Sequence, residues 1–223
     1  EWGDDQLDKY LEFGQRVFCT LATLPFPTVA AINGAALGGG LELAMHCDAL
    51  VACPPASRDG QPGKPYPVGL PECSLGLCPG WGGTNLYPLS LNDPAEAIRR
   101  CAEGKPMLYD EASTSGLFSE IAPSQAELLG VAKAWLQSAA AQAAVTNYSE
   151  LDPWKRSPGQ ATKTLLSMDR MRGELAQNDE TQAVLDCLNI GLTRGYQAAL
   201  EAERKHLVRL RLTPKAKQAL AAF

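Results

Sequence analysis

Thr28-Val-Ala-Ala-Ile-Asn-Gly-Ala-Ala-Leu-Gly-Gly-Gly-Leu-Glu-Leu-Ala-Met-His-Cys-Asp48 is the stretch that decides the fold class. Its first six residues, Thr28 to Asn33, are β-rich and almost wholly apolar, which predicts a short buried strand. Gly34 to Gly40 then carries four glycines among small apolar residues. Leu41 to Met45 follows without a break and reads as a helix. A second buried strand is expected at Asp48-Ala-Leu-Val-Ala-Cys53. Strand, glycine cluster, helix and strand in this order describe an α/β arrangement.

Outward from that stretch the signals change. Upstream, Leu7, Tyr10, Leu11, Val17, Phe18 and Leu21 recur at helical spacing, Asp4 and Asp5 suit an N-terminus, and Pro25 and Pro27 stop the segment. A helix over 4–23 is expected. Downstream, 54–67 is a proline- and glycine-rich loop, 68–72 a short extended segment, and 75–84 glycine-rich again. Helices are predicted at 94–103, 109–116 and about 124–142. The polar stretch 147–160 reads as a hinge, followed by helices at 161–176, 179–210 and 214–222. The expected organisation is an α/β core over 1–123 and an all-helical region over 124–223, without an internal repeat.

Composition excludes several classes. With 45% hydrophobic and 20% charged residues in 223, the chain is an ordinary globular sequence rather than a disordered one. No run approaches the roughly 20 apolar residues of a membrane span, and the acidic start EWGDDQLDKY is no signal peptide. A net charge of −5 argues against nucleic acid as a main partner. Seven cysteines, odd in number and without a C-x-x-C pair, fit buried thiols in a reducing compartment, and a cytoplasmic location is expected. Only His46 and His206 exist as histidines, so a His-rich metal centre is excluded and no structural metal is expected.

The glycine cluster at 34–40 opens a helix, where backbone amides lack internal partners and carry partial positive charge. Glycines there let a ligand oxygen approach the main chain. Such a site serves an oxyanion or a phosphate, and the glycines alone do not choose between them. The P-loop Lys-Ser/Thr ending is missing and G-x-G-x-x-G is not matched, so nucleotide binding is the weaker reading. Glu42 in the first helical turn and Glu72 after Pro71 are two carboxylates that could form an acid/base pair beside the amides. The alternative stays open at this point: Glu42 favouring the helix dipole, and Glu72 a solvated loop residue.

Phe26 to Met45, Cys47-Asp48, Gly69-Leu-Pro-Glu72, Leu75-Gly-Leu-Cys-Pro-Gly-Trp-Gly-Gly-Thr84 and Gly116-Leu-Phe-Ser-Glu-Ile121 together resemble the crotonase superfamily. Within it the likeness is to enoyl-CoA hydratases, particularly the hydratase part of multifunctional fatty-acid β-oxidation proteins. The resemblance is strong over 25–121 and weaker through the C-terminal helices. It implies a spiral of repeated ββα units with a helical C-terminal region. It implies that Gly39, with Leu37 and Gly38 beside it, supplies an oxyanion-hole amide to a thioester carbonyl. Glu42 would activate water, and Glu72, next to Pro71, would exchange the proton at C2. Pro79, Gly80 and Trp81 would lie near the acyl pocket. The implied reaction is hydration of a trans-2-enoyl-CoA, with coenzyme A as part of the substrate and no cofactor. The same fold also hosts enoyl-CoA isomerases and acyl-CoA hydrolases, and a non-catalytic CoA-binding or scaffolding subunit is a further alternative. The family further implies a homotrimer or dimer of trimers, and a β-oxidation dehydrogenase as partner.

The sequence departs from this pattern in two places. The loop containing Arg58 to Pro67 is longer than in simple hydratases, and its turn-rich composition suits a surface insertion better than a lid. Residues 1–27 show none of the strands that normally precede the first helix, so the chain is expected to be part of a longer polypeptide. His46, Cys73 and Cys78 are expected to pack or hydrogen-bond rather than to react. The basic cluster Arg204, Lys205, Arg209 and Arg211 is expected to be a solvated helix face, with CoA contact from a neighbouring subunit as the alternative.

Overall fold

The computed structural model describes residues 2–57, 61, 63–146 and 152–222. In chain order it contains α1 (Asp4–Cys19), β1 (Val29–Ile32), β2 (Ala36–Leu37), α2 (Gly39–Met45), β3 (Ala49–Ala52), β4 (Pro67–Gly69), a 3-10 turn (Glu72–Leu75) and α3 (Gly83–Ser90). Then follow α4 (Pro94–Glu103), β5 (Met107–Leu108), α5 (Tyr109–Ala112), β6 (Glu120–Ile121), α6 (Leu128–Leu136) and α7 (Ala139–Thr146). The remaining elements are α8 (Pro153–Arg156), α9 (Pro158–Glu174), α10 (Asp179–Arg194), α11 (Tyr196–Leu210) and α12 (Pro214–Ala221).

Two small sheets result, β1-β3-β6 and β2-β4-β5. The first is parallel throughout, with Val29 opposite Ala49 and Val51 opposite Glu120. In the second, β2 and β4 run parallel and β5 antiparallel to β4. The ββα repeat is visible in this division: β1, β2 and α2 form one unit, and β3, β4 and α3 the next, each giving one strand to each sheet. β3 is buried along its whole length, as its Ala-Leu-Val-Ala sequence requires. β1, whose composition predicts equal burial, departs from that expectation. Its residues are half-buried or exposed, because among the described strands it pairs only with β3 and forms an edge. α6 covers the first sheet, packing Leu128 and Ala132 on Val51 and Ala122.

Several expected helices are shorter or broken. The segment 179–210 is two helices, since Gly195 at φ 94° ends α10 and starts α11. The segment 124–142 breaks between α6 and α7, where Ser138 Oγ accepts from Ala141 N. The helix at 109–116 ends at Ala112. The expected helix 94–103 is met at both ends: Asp93 accepts from Ala95 N, and Gly104 closes it at φ 63°. α3 has no counterpart among the expected helices, because its start lies inside the glycine-rich stretch that reads as a loop. Of the hinge at 147–160, residues 147–151 lie outside the described residues; beyond them α8 is capped by Asp152, which accepts from Trp154 N. Of the 54–67 loop, 58–60 and 62 lie outside them too, and Tyr66 is buried, its hydroxyl donating to Cys53 O at 2.7 Å.

One hydrophobic cluster runs from Ala36 and Leu41 through Tyr87 and Ile98 to Met168, Leu188 and Leu200. It therefore joins elements on both sides of residue 123. No described helix is long and apolar enough to cross a membrane.

Candidate active site

The glycine cluster ends β2 and begins α2. Gly38 has φ 54°, and its N–H donates to Gly69 O at 2.9 Å, tying the end of β2 to the end of β4. A Cβ at Gly38 would lie 2.8 Å from Glu72 Oε1, so glycine is what lets the Glu72 carboxylate reach the start of α2. The first N–H groups of α2, that of Gly39 among them, have no acceptor in the helix. A Cβ at Gly39 would meet the Trp81 ring at 2.5 Å. That ring also packs on Gly14 of α1 and stands 5.1 Å from the Phe18 ring. Leu37 is partly exposed beside the cluster, and Pro79 and Gly80 are buried. Gly80 O accepts from the Gln15 side chain at 2.8 Å. Leu37, Gly38, Gly39 and the Trp81 ring thus lie at the start of α2, where Glu72 reaches them, whereas Pro79 and Gly80 lie at the entry to α3.

Glu42 is 1% exposed and does not cap its own helix. Its Oε1 accepts from Trp81 N and Gly83 N, both at 2.8 Å, at the entry to α3. Burial pushes its carboxyl up to about 7, against the pull of those amides. Glu72, on the 3-10 turn, has a buried Oε2 without a hydrogen-bond partner among the described residues. Burial first, and the Glu42 charge second, push its carboxyl up to about 8. Burial sets aside the reading of Glu42 as a dipole residue, and the half-buried Glu72, with its Oε2 out of contact with solvent, is not a freely solvated loop residue. What remains is a pair of interacting carboxyls beside the start of α2, Glu42 held by two amides and Glu72 with one oxygen unpartnered among the described residues. Such a pair can hold one proton and one charge near neutral pH.

A third carboxylate joins them that the sequence motifs do not single out. Glu203 of α11 is fully buried, and it accepts from Gly82 N at 2.6 Å, from Thr84 N at 3.0 Å and from the Thr84 hydroxyl. Burial, then the Glu42 charge, push its carboxyl upward, against the pull of those three donors. The sequence does hold a signal for it: Tyr196, Ala199, Leu200 and Glu203 fall on one helical stripe, and a carboxylate on an apolar stripe needs a partner.

The other residues behave as packing groups. His46 Nδ1 lies 2.8 Å from Glu42 O, which can only accept, so the proton is on Nδ1 and Nε2 is left to accept from Tyr196 Oη at 3.2 Å. Burial lowers the His46 pKa. A cavity of about 380 Å³ lies on this C-terminal side of α2, lined among others by Cys19, His46, Leu86, Arg156 and Tyr196. Cys73 and Cys78 are buried, with thiols pushed upward by burial. The basic cluster is occupied within the chain: Arg204 pairs with Asp8, Lys205 with Glu201, Arg209 with Asp179 and Arg211 with Asp4.

A family model described as enoyl-CoA hydratase/isomerase matches residues 4–210. Over 179 residues the chain is 35% identical to a glyoxysomal fatty acid beta-oxidation multifunctional protein MFP-a from Brassica napus, covering 79% of this chain and 23% of that protein. Over 217 residues it is 33% identical to a fatty acid oxidation complex subunit alpha from Vibrio cholerae, covering 94% of this chain and 29% of the relative. The chain thus spans between a fifth and a third of the length of these curated relatives. Among solved structures, an enoyl-CoA hydratase from Mycobacterium avium subsp. paratuberculosis K-10 superposes with a TM-score of 0.63 at 19% identity, over 98% of this chain and 72% of that one. One from Bacillus halodurans gives 0.62 at 23% identity, over 100% and 71%. These two likenesses establish the fold.

Proposed function

The chain belongs to the enoyl-CoA hydratase/isomerase family, and from that premise we propose that it hydrates trans-2-enoyl-CoA thioesters through Glu42 and Glu72. The observation that carries this reading is the asymmetry of the two carboxyls. Glu42 is held by two amides, which favour its charged form, so it is the base that takes a proton from water. Glu72 has the higher pKa and an oxygen without a partner, so it is the acid that delivers a proton to C2. The Gly39 N–H at the start of α2 is the donor to the thioester oxygen. Polarising that carbonyl makes C3 electrophilic and lets C2 take the proton. Water oxygen bonds to C3, its proton passes to Glu42, and the Glu72 proton goes to C2, so the step closes without a cofactor beyond the CoA of the substrate.

In this reading the partners are those that the family resemblance implies: a dehydrogenase that consumes the 3-hydroxyacyl product, and further copies of the chain. The seven cysteines suit a reducing compartment such as the cytoplasm.

The test is a trans-2-enoyl-CoA of four carbons, followed by loss of the conjugated enoyl-thioester absorbance together with product analysis. Hydration gives a 3-hydroxyacyl-CoA and no free thiol. Glu42→Gln and Glu72→Gln should each lower kcat by about 10²–10⁴-fold, the usual contribution of a positioned acid or base. A shifted double bond as the sole product would make the chain an isomerase, and released thiol a hydrolase. Full activity in either variant would remove the two-glutamate mechanism.

A further inference from the structure

Four successive amides enter α3, and they alternate between two carboxylates. Trp81 N and Gly83 N point to Glu42 Oε1, whereas Gly82 N and Thr84 N point to Glu203. Gly82 at φ 103° makes the alternation possible. Glu42 of α2 and Glu203 of α11 therefore grip one turn from opposite sides.

The protons around Glu203 can be placed by elimination. The Trp154 indole only donates, and its Nε1 lies 2.8 Å from Asn85 Oδ1, which fixes the orientation of that amide. Asn85 Nδ2 then donates to Thr84 Oγ1 at 2.9 Å and to Cys187 O at 3.3 Å. The Thr84 hydroxyl has its own proton left for Glu203 Oε1. Glu203 thus receives three donors, an environment built for an acceptor-only anion.

The other groups around it hold no charge near neutral pH. Cys19 from α1, Cys78 from the loop before α3, Cys101 from α4, Cys187 from α10 and Tyr196 from α11 act on or feel Glu203, and burial raises each of them. His46 of α2 is held neutral by burial. On α11 itself, Arg204 is spent on Asp8 and Gln15, and Lys205 on Glu201. Among the described residues this leaves Glu42 as the neighbour whose charge changes.

We propose that Glu203 is a positioning residue that governs the protonation of Glu42 through the turn 81–84 that both carboxylates share. The role of Glu42 as the base rests on the reading above; the coupling of the two carboxylates does not. Its three donors hold Glu203 as the anion, and that charge opposes a second one on the same buried turn, so Glu42 keeps its proton to a higher pH than it would alone.

Glu203→Gln removes the charge and keeps the shape. The acid limb of the kcat/KM profile should move down by about one pH unit, as expected for loss of a near like charge. Thr84→Val removes one donor from Glu203 and should move the limb the same way by less. A purely structural role would lower activity or the melting temperature and leave the limb in place. The same shift is read without turnover by ¹³C NMR of the full chain labelled at glutamate carboxyls, the Glu42 signal being identified by its loss in Glu42→Gln. A Glu42 titration that moves down in Glu203→Gln, or in Thr84→Val where Glu203→Gln does not fold, supports the proposal. An unmoved or upward-moving titration in a folded variant overturns it. A wild-type protein that hydrates no enoyl-CoA yet shows the shift would overturn the proposed function alone.

Discussion

The molecule contains two glycine-rich entries into a helix, one at 38–40 before α2 and one at 80–83 before α3, and they have opposite fates. Both follow a strand of the second sheet, and neither helix is capped by a side chain of its own N-cap residue. At α3 the amides of residues 81 to 84 are all taken, by Glu42 and Glu203. At α2 Gly38 N is spent on Gly69 O, and the following N–H groups have no acceptor within the helix. The same local chemistry thus builds a saturated turn that holds side chains in place and an unsaturated one that can meet a ligand's oxygen. Amides without a helix acceptor are where a ligand oxygen can bind, and at α2 they stand beside two proton-holding carboxyls.

The largest expected effect on stability lies on the saturated side. Glu42→Ala leaves the buried Gly83 N without an acceptor, at about 1–3 kcal/mol, and the half-buried Trp81 N as well, at somewhat less. Glu72→Ala, which removes an oxygen that bonds to nothing among the described residues, should cost clearly less. Urea unfolding of both variants at pH 6 would show the difference, and equal losses would erase the contrast between the two turns.

Gly82→Ala comes next. A Cβ there would sit at φ 103° and 2.1 Å from Tyr196 Oη. Backbone strain of about 1–2 kcal/mol and overpacking of about 1–3 kcal/mol add to a loss of several kcal/mol. Gly40→Ala, with nothing within 4 Å, should be close to neutral, and the paired melting curves check both.

A third effect is on pH dependence. Glu42 and Glu72 have folded-state pKa values raised to about 7 and about 8, from an ordinary carboxyl value of 4.5. The folded state therefore binds more protons than the unfolded one between those limits, so stability falls as pH rises from about 4.5 to about 8. Melting temperatures should be higher at pH 5 than at pH 8. Glu72→Gln should flatten that slope, and an unchanged slope would show that Glu72 does not carry a proton in the native protein.

Much of the fold is legible in the amino-acid sequence itself. The apolar run at 48–53 and the glycine cluster with its following helix announce themselves by period and composition, as does α4 between Asp93 and Gly104. The two glutamates are readable as a pair only together with the long motifs around them. What is not legible depends on tertiary contact. α3 hides behind Gly80, Gly82 and Gly83, because its first turn is stabilised by carboxylates 39 and 119 or more residues away rather than by local propensity. β1 looks like a buried strand because its composition is that of one, and only strand order reveals it as an edge. Glu203 is lost among the charges of α11, although its neighbours at 196, 199 and 200 mark that face as apolar.

Under the proposed function, the open turn at α2 and its two carboxyls add water across a conjugated thioester. Incubation of the four-carbon trans-2-enoyl-CoA with the protein in D₂O tests it most directly, by mass and NMR analysis of the product. The expected product is a 3-hydroxyacyl-CoA carrying one deuterium at C2, with product formation lost in Glu72→Gln. Recovery of the substrate unchanged, or a 3-hydroxy product formed equally well without Glu72, would contradict it.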